Sequence, residues 1–511
     1  MEELVYPALL RPRLATSWTK PAVADEAGQR TFGEVAERAW QIVAGLHRVD
    51  PSSDETRFAV ISDNRSTYFD LWQAAGWGGG IICPINTRLS SDESAFVLRD
   101  CDPHVVFVDR AHAELVRHIR GDGWVGRLVV GLDGVDGADI ELAEFVEEGA
   151  DPQPPQDPRP EDPVILMYTG GTSGRPKAVL HTQQGLCLAL HRTHALTRVA
   201  EPDTRFYQTS PMFHIMATAA TLAAPAGGAF VVLRRSFDIA QMIKDIATYE
   251  LTHVAMVPTM FTMLLEHHDF DPDSLASLRY VIYGGAPVPS AVLGRLLEVL
   301  PRVEFVQSYG MTEACGGLTG LSGEDHRRGR ALDSVGRSLL GVELQIQDED
   351  GRVLPPGSIG EVCTRCGSIM EGYRGDSART TQALRGDWYH TGDLGSIDAD
   401  GYLRITDRVD DMIITGGENV YSSEVEAALA QHPDVVQSAV VGAPDSMWGQ
   451  RVHAFVVFRG AWVEESDLKE FLRSRIAGYK VPKTFTFSTD PLPLSGTGKV
   501  QKHQLRSNLD H

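Results

Sequence analysis

The sequence predicts an α/β chain with parallel layering, extended by an antiparallel sheet or barrel and closed by a small α+β domain. Three observations predict it. Up to about Ala150, β-rich runs alternate with helical stretches, the economical pattern of parallel α/β layers. Between Val231 and Glu313 the runs VVLRR, THVAMVP, YVIYGGAPVP and EFVQSYGMTE each end in glycine, proline or hydroxyl residues, as strand ends that collect ligands do. After Gly341 the texture changes to short strands with turn dipeptides, as in VELQIQDEDGRVLPPGSIGEVCTRC.

Taken in order, RFAVIS reads as a strand, YFDLWQAAGWGG as a helix, and GIICPI and HVVFVD as further strands. The acidic, proline-rich EEGADPQPPQDPRPED (Glu147 to Asp162) reads as a surface connector leading into the strand VILMY. ATAATLAAPAGGAFVVL (Ala217 to Leu233) is broken by Pro225 and two glycines and is too short to span a bilayer, so a buried helix followed by a strand is expected. From Asp407 the chain reads DRVDDMIITGGENVYSSEVEAAL, where Ser423 and Glu426 have capping-box spacing ahead of a helix near Glu424. VVQSAVVGAP, RVHAFVVF and a helix around DLKEFLRSRIAGY complete a domain of roughly a hundred residues.

A chain of 511 residues exceeds one ordinary core, and about three compact units are expected. The net charge of −22 argues against nucleic acid or an anionic membrane surface as a main partner, because phosphate backbones are held by clustered Lys and Arg. MEELVYPALLRP is acidic where a secretory signal is basic, so a cytoplasmic protein without integral membrane association is expected. Of six cysteines only Cys363 and Cys366 are close, on opposite faces of a strand-like run and without a second pair; ordinary reduced cysteines are expected.

The stretch TGGTSGRPKA, Thr169 to Ala178, follows VILMY directly. Small residues let backbone N–H groups approach oxygen, and hydroxyls and a lysine add donors, so the loop suits phosphate. Arg175 and Pro176 separate Gly174 from Lys177, which breaks Walker spacing, and no dinucleotide G-x-G-x-x-G is present in the loop. The other reading of the loop is an ordinary glycine turn.

With PMFH, YGGAPVP, YGMTE, TGDLG, DRVDDMIITGGENVYSSEVE and GTGKVQK in the same order, the chain resembles, over nearly its whole length, the adenylate-forming superfamily of acyl-CoA and aryl-CoA ligases, luciferases and peptide-synthetase adenylation domains. The resemblance implies an N-terminal domain, residues 1–409, of two layered α/β subdomains plus a small β-barrel at about 325–405, and a small mobile α+β C-terminal domain, 410–511. It also implies a two-step reaction. A carboxylate attacks the α-phosphate of ATP, giving acyl-adenylate and pyrophosphate, and the thiol of coenzyme A then displaces AMP.

By the same resemblance, Thr169, Gly171, Thr172, Ser173, Gly174 and Lys177 would embrace the β- and γ-phosphates, with Gly285, Ala286, Pro287, Tyr309 and Gly310 also on the nucleotide. Tyr309 would stack on adenine, Thr312 donate to the α-phosphate, and Glu313 ligate Mg²⁺. Asp393 and Arg408 would hold the ribose. Lys499 would bridge the carboxylate and the α-phosphate as they meet. Ala178 and Asp407 stand where the family commonly has glycine. Asp410 occupies the hinge for domain alternation, and Gly416 and Gly417 would line a pantetheine tunnel. Trp448, Arg88, Arg475, Lys480 and Lys483 are the candidates for CoA.

His214 matches an aromatic gate near the carboxylate, and Ala217, Ala219 and Ala220 with Gly284, Gly285 and Ala286 give small pocket walls. A bulky apolar acid (aryl, alicyclic, terpenoid or medium to long acyl) is therefore expected. Amino acids are disfavoured, since Phe213-His214 lacks the carboxylate that an ammonium needs. Two alternatives stay open: a non-catalytic nucleotide- or acyl-binding homologue, and an adenylating enzyme that passes the acyl group to a carrier protein or another acceptor. A homodimer is compatible with either reading.

Overall fold

The computed structural model describes residues 4–49, 55–121, 128–146, 152–169, 176–415, 418–445, 447–460, 463–494 and 500–509. Two compact units emerge. The first comprises the described residues of Met1–Thr169, Pro176–Glu343 and Arg365–Asp387; the second comprises those of Leu344–Thr364 and Trp388–His511.

In the first unit, strands alternate with helices as the sequence predicts, and they form two sheets. One runs, edge to edge, through Arg337–Ser338, Gly316–Leu321, Glu304–Met311, Tyr280–Gly284, His253–Met256, Arg205–Gln208, Phe230–Leu233, Pro21–Asp25 and Gly28–Thr31. The other runs through Gly372–Tyr373, Lys177–Thr182, Pro163–Thr169, Ile81–Pro84, Arg57–Ile61, Val105–Val108, Leu128–Gly131 and Ile140–Glu141. Their interior pairs are parallel, with antiparallel strands towards the edges.

Successive side chains of a strand point to opposite faces, so a strand buried on both faces must be apolar throughout. Phe58 and Val60 join one core cluster while Ala59 and Ile61 join another; Val231 joins the first while Phe230 and Val232 join a third. The shared cluster also takes the helices Phe32–Val49 and Ser66–Gly76 and part of Gln183–Thr197, which places a helical layer against both sheets. Ala219–Ala223 and Ala224–Gly227 form a buried π-helical turn and a short helix before the strand Phe230–Leu233. Among the described residues no helix is long and apolar enough to cross a membrane.

The second unit holds the expected antiparallel sheet, in which Gly360–Cys366 pairs with Trp388–Ile397 and the latter with Leu403–Arg408. A further sheet pairs Glu418–Val420, Ile413–Thr415, Gly449–Phe458 and Val435–Asp445 in that order, with Thr484–Ser488 parallel to Gly449–Phe458. The helices Ser422–Leu429 and Glu465–Arg473 bury Val425, Leu429, Leu468 and Leu472 against one face of this sheet.

One local expectation is corrected. The helix starts at Ser422, and Ser423 and Glu426 form no capping box. The Ser423 hydroxyl donates to the Thr406 carbonyl, and the Glu426 carboxylate accepts from the Val440 N–H at 2.7 Å and pairs with Lys502 at 2.8 Å. Asp407 takes over the helix start: its carboxylate accepts from the Ser422 hydroxyl at 2.9 Å and the Ser423 N–H at 3.3 Å. A carboxylate there also meets the positive end of the helix dipole.

Candidate active site

The sequence places a phosphate loop at the end of the strand Pro163–Thr169, and the structure pairs that strand antiparallel with the next one. Thr169 lies directly opposite Lys177, the first residue of the returning strand Lys177–Thr182. Gly171, Thr172, Ser173 and Gly174 lie outside the described residues. Ala178 is in the extended strand opposite Tyr168, and its methyl is buried in the apolar cluster under the sheet, so the departure from glycine is accommodated by packing.

Lys177 is joined to Glu313 by a side chain the sequence reading did not single out. Its ammonium lies 5.2 Å from the ring centroid of Tyr373, and the Tyr373 hydroxyl donates to Glu313 Oε1 at 3.0 Å. Tyr373 is 7% exposed, sits opposite Val179 in a short edge strand, and donates its N–H to Thr380 Oγ1 at 2.9 Å. The signal available in the sequence was an aromatic flanked by glycine in EGYRGD.

Glu313 belongs to a single helical turn, Thr312–Ala314, that reverses the strand Glu304–Met311 into Gly316–Leu321. The Thr312 carbonyl accepts from His181 Nε2 at 2.7 Å, which assigns the ring proton to that nitrogen. Burial pushes the His181 pKa down to about 4, so the ring is neutral at physiological pH. A neutral donor thus holds the backbone that presents Thr312 and Glu313.

Two glycines of the motifs are steric requirements. A Cβ on Gly284 would collide with the Ser308 carbonyl oxygen, and one on Gly310 with that of Gly316. Gly285 turns the chain at a φ of +82°, and Ala286 and Pro287 follow as exposed residues, while Tyr309 is half-buried. In PMFH, Asn64 bridges the Ser210 carbonyl at 3.0 Å and the Met212 N–H at 2.7 Å, while Trp72 Nε1 donates to the Met212 carbonyl at 3.2 Å. That turn leaves His214 half-buried, its Nδ1 accepting from the Met216 N–H at 3.4 Å; Ala217 is fully buried in the shared core.

In the second unit, TGDLG forms a β-bulge. Cys363 faces His390 and Glu361 faces Leu394, so Thr391, Gly392 and Asp393 are accommodated opposite a single residue, Val362. Gly392 has a φ of +71°, accessible to glycine without strain, and its N–H donates to Glu361 Oε1 at 3.2 Å. Thr391 Oγ1 donates to the Val362 carbonyl at 2.8 Å and accepts from the Asp393 N–H at 3.0 Å. Bulges re-aim side chains. Here the bulge presents Asp393, 5% exposed, to Arg408 on the paired strand, whose Nη1 donates to Asp393 Oδ1 at 2.7 Å.

Asp410 is exposed in the turn Val409–Asp411, next to Asp411, which pairs with Arg506 at 2.5 Å. Gly416, Gly417 and Lys499 lie outside the described residues. Of the CoA candidates, Trp448 is 48% exposed and Arg88 is exposed. Lys480 is committed to Glu424 at 2.7 Å, which raises its pKa, and Arg475 stacks on Phe471 at 3.6 Å. Lys483 is exposed.

Comparison with known proteins identifies the family of the chain. The AMP-binding enzyme family matches residues 11–374, and the AMP-binding enzyme C-terminal domain matches 424–499. The chain is 34% identical to the feruloyl-CoA synthase of Amycolatopsis sp. over 479 residues, 93% of each chain. It is 32% identical to a long-chain-fatty-acid–CoA ligase of Mycobacterium tuberculosis, covering 98% of this chain and 96% of the other. The solved o-succinylbenzoate CoA synthetase of Bacillus subtilis, in complex with its acyl-adenylate intermediate, superposes with a TM-score of 0.85 at 29% identity, over 98% of this chain and 97% of that one. The protein belongs to the AMP-binding, adenylate-forming enzyme family.

Proposed function

We propose that the protein is an AMP-forming acid–CoA ligase for a bulky apolar carboxylic acid. The observation that carries this reading is the chain Lys177–Tyr373–Glu313, which sets a phosphate-binding cation and a metal-binding carboxylate against one fixed phenol. The names of the relatives supply the substrate class: feruloyl, long-chain acyl and succinylbenzoyl groups are all larger than acetyl.

In the first step a carboxylate oxygen of the acid bonds to the α-phosphorus of ATP and the bond to the bridging oxygen of pyrophosphate breaks. Two anions must meet, so the protein's task is positioning and charge neutralisation. Lys177 and the hydroxyls of its loop take the leaving pyrophosphate, Thr312 donates to the α-phosphate, and Lys499 stabilises carboxylate and phosphate together. Asp393 accepts from the ribose hydroxyls while Arg408 fixes its carboxylate.

A lone carboxylate beside phosphate oxygens suits Mg²⁺, which keeps several waters and binds few protein ligands, and Glu313 has one oxygen pinned by Tyr373. Bound there, Mg²⁺ would neutralise phosphate charge. In the second step the CoA thiolate bonds to the acyl carbon and AMP leaves, after a rearrangement about Asp410 that brings Gly416 and Gly417 to the pantetheine arm. Trp448, Arg88, Arg475, Lys480 and Lys483 are proposed for the CoA nucleotide; Lys480 would first have to leave Glu424.

The test is pyrophosphate release with a panel of acids, with and without CoA. Aryl acids and acids of about eight carbons or more should be converted to CoA thioesters faster than acetate. No release with any acid favours a non-catalytic homologue, and release without CoA consumption favours a carrier protein or another acceptor.

A further inference from the structure

We infer that Glu361, Cys363 and His390 form a binding site for a zinc-class divalent cation, on the bulge that carries Asp393. Cys363 and His390 are directly opposed on paired strands, and Glu361, two residues before Cys363, shares its face. Cys363 Sγ stands 3.4 Å from His390 Nδ1, and the same nitrogen stands 2.8 Å from Glu361 Oε2. The three ligand atoms lie within 4.8 Å of one another.

One side of that triangle already has the spacing that a borderline-soft ion requires. Tetrahedral zinc, with Zn–S near 2.3 Å and Zn–N near 2.0–2.1 Å, holds sulfur and nitrogen roughly 3.5 Å apart, close to the spacing already present. Nitrogen and oxygen would stand roughly 3.3 Å apart, so the carboxylate must swing outward by about half an ångström. It has room to do so, since the Glu361 side chain is 22% exposed against 9% for His390. The other Glu361 oxygen keeps the Gly392 N–H at 3.2 Å, and water completes the fourth position.

The ligand set decides the ion. Thiolate with imidazole selects zinc or its cobalt surrogate over magnesium, which prefers oxygen throughout. Binding releases the Cys363 thiol proton to solvent and fixes the imidazole proton on Nε2, leaving Nδ1 as donor to the metal. The neighbours His267, His268 and Asp269, of which His267 is half-buried and the other two exposed, form another such group among the described residues, but they offer no sulfur.

The test uses the full chain, stripped with a chelator and kept reduced with a phosphine. Titration with Co²⁺ in excess Mg²⁺ should saturate at one ion per chain and develop a thiolate-to-cobalt charge-transfer band that Zn²⁺ abolishes. Cys363→Ser should lose the band and Cys366→Ser should keep it. His390→Asn, which retains the thiolate, should weaken cobalt binding at least tenfold and covers the case in which Cys363→Ser fails to fold. Absence of the band in the unmodified protein, or its survival in Cys363→Ser, overturns the proposal and leaves a hydrogen-bonded cluster only.

Discussion

Replacing Tyr373 by Phe isolates one link of the proposed phosphate and metal site. The ring beneath Lys177 stays, while the hydroxyl that donates to Glu313 Oε1 at 3.0 Å is lost. Hydrogen bonds to charged groups contribute about 1.5–3 kcal/mol, and the half-buried Glu313 argues for the lower end. About 1.5 kcal/mol corresponds to roughly a tenfold loss in kcat/KM for ATP. Tyr373→Leu also removes the cation–π contact, about 0.5–1 kcal/mol more, and should lose a further two- to fivefold. Pyrophosphate release at varied ATP and Mg²⁺ measures both, with thermal midpoints as the control for folding. Unchanged kcat/KM in Tyr373→Phe, or equal losses in the Phe and Leu variants, would refute the linkage.

Gly392→Ala should lower stability by about 1–2 kcal/mol through its left-handed φ alone, because a methyl there meets nothing closer than Arg408 at 3.9 Å; an unchanged unfolding midpoint would count against the bulge assignment. His181 has a folded pKa of about 4 against an ordinary 6.5, so the unfolded chain binds more protons between those values and stability falls as pH falls through that window. The loss reaches about 3 kcal/mol at the acid end, and urea unfolding of His181→Gln between pH 6.5 and 4 should show a shallower slope than the parent, with His253 and His453, also depressed by burial, still contributing in the same direction. Lys502→Ala strips the partner from Glu426 and the donor from Ser422, and should cost about 2–3 kcal/mol in denaturant unfolding, whereas a surface role predicts under half of one. Lys499→Ala should abolish adenylate formation and leave thioesterification of a supplied acyl-adenylate largely intact, read as separate half-reactions; equal loss of both would sink the two-step division of labour.

The α/β layering was legible because strands buried on both faces carry continuous apolar runs, as in RFAVI and FVVL. The strand that leads into TGGTSGRPKA was legible from its apolar run, while most of the loop itself lies outside the described residues. What stayed hidden depends on contacts remote in sequence. Tyr373 reaches Glu313 from sixty residues away across an edge strand. The bulge that aims Asp393 arises from the mismatch of two strands, and no local pattern announces it. Ser423 and Glu426 had the spacing of a capping box, but Thr406, Val440 and Lys502 competed successfully for their side chains, and Asp407 supplied the helix start instead. Cys363 was read against Cys366, its neighbour in sequence, while its neighbours in space are His390 on the facing strand and Glu361 two residues back.

The central claim is that a carboxylate is activated at the α-phosphate of ATP. Its most direct test feeds the protein a carboxylic acid labelled with heavy oxygen in the carboxylate, together with ATP and CoA, and weighs the nucleotide product. The account predicts that AMP carries one labelled oxygen and that the thioester has lost it. Unlabelled AMP, or ADP in its place, would contradict it.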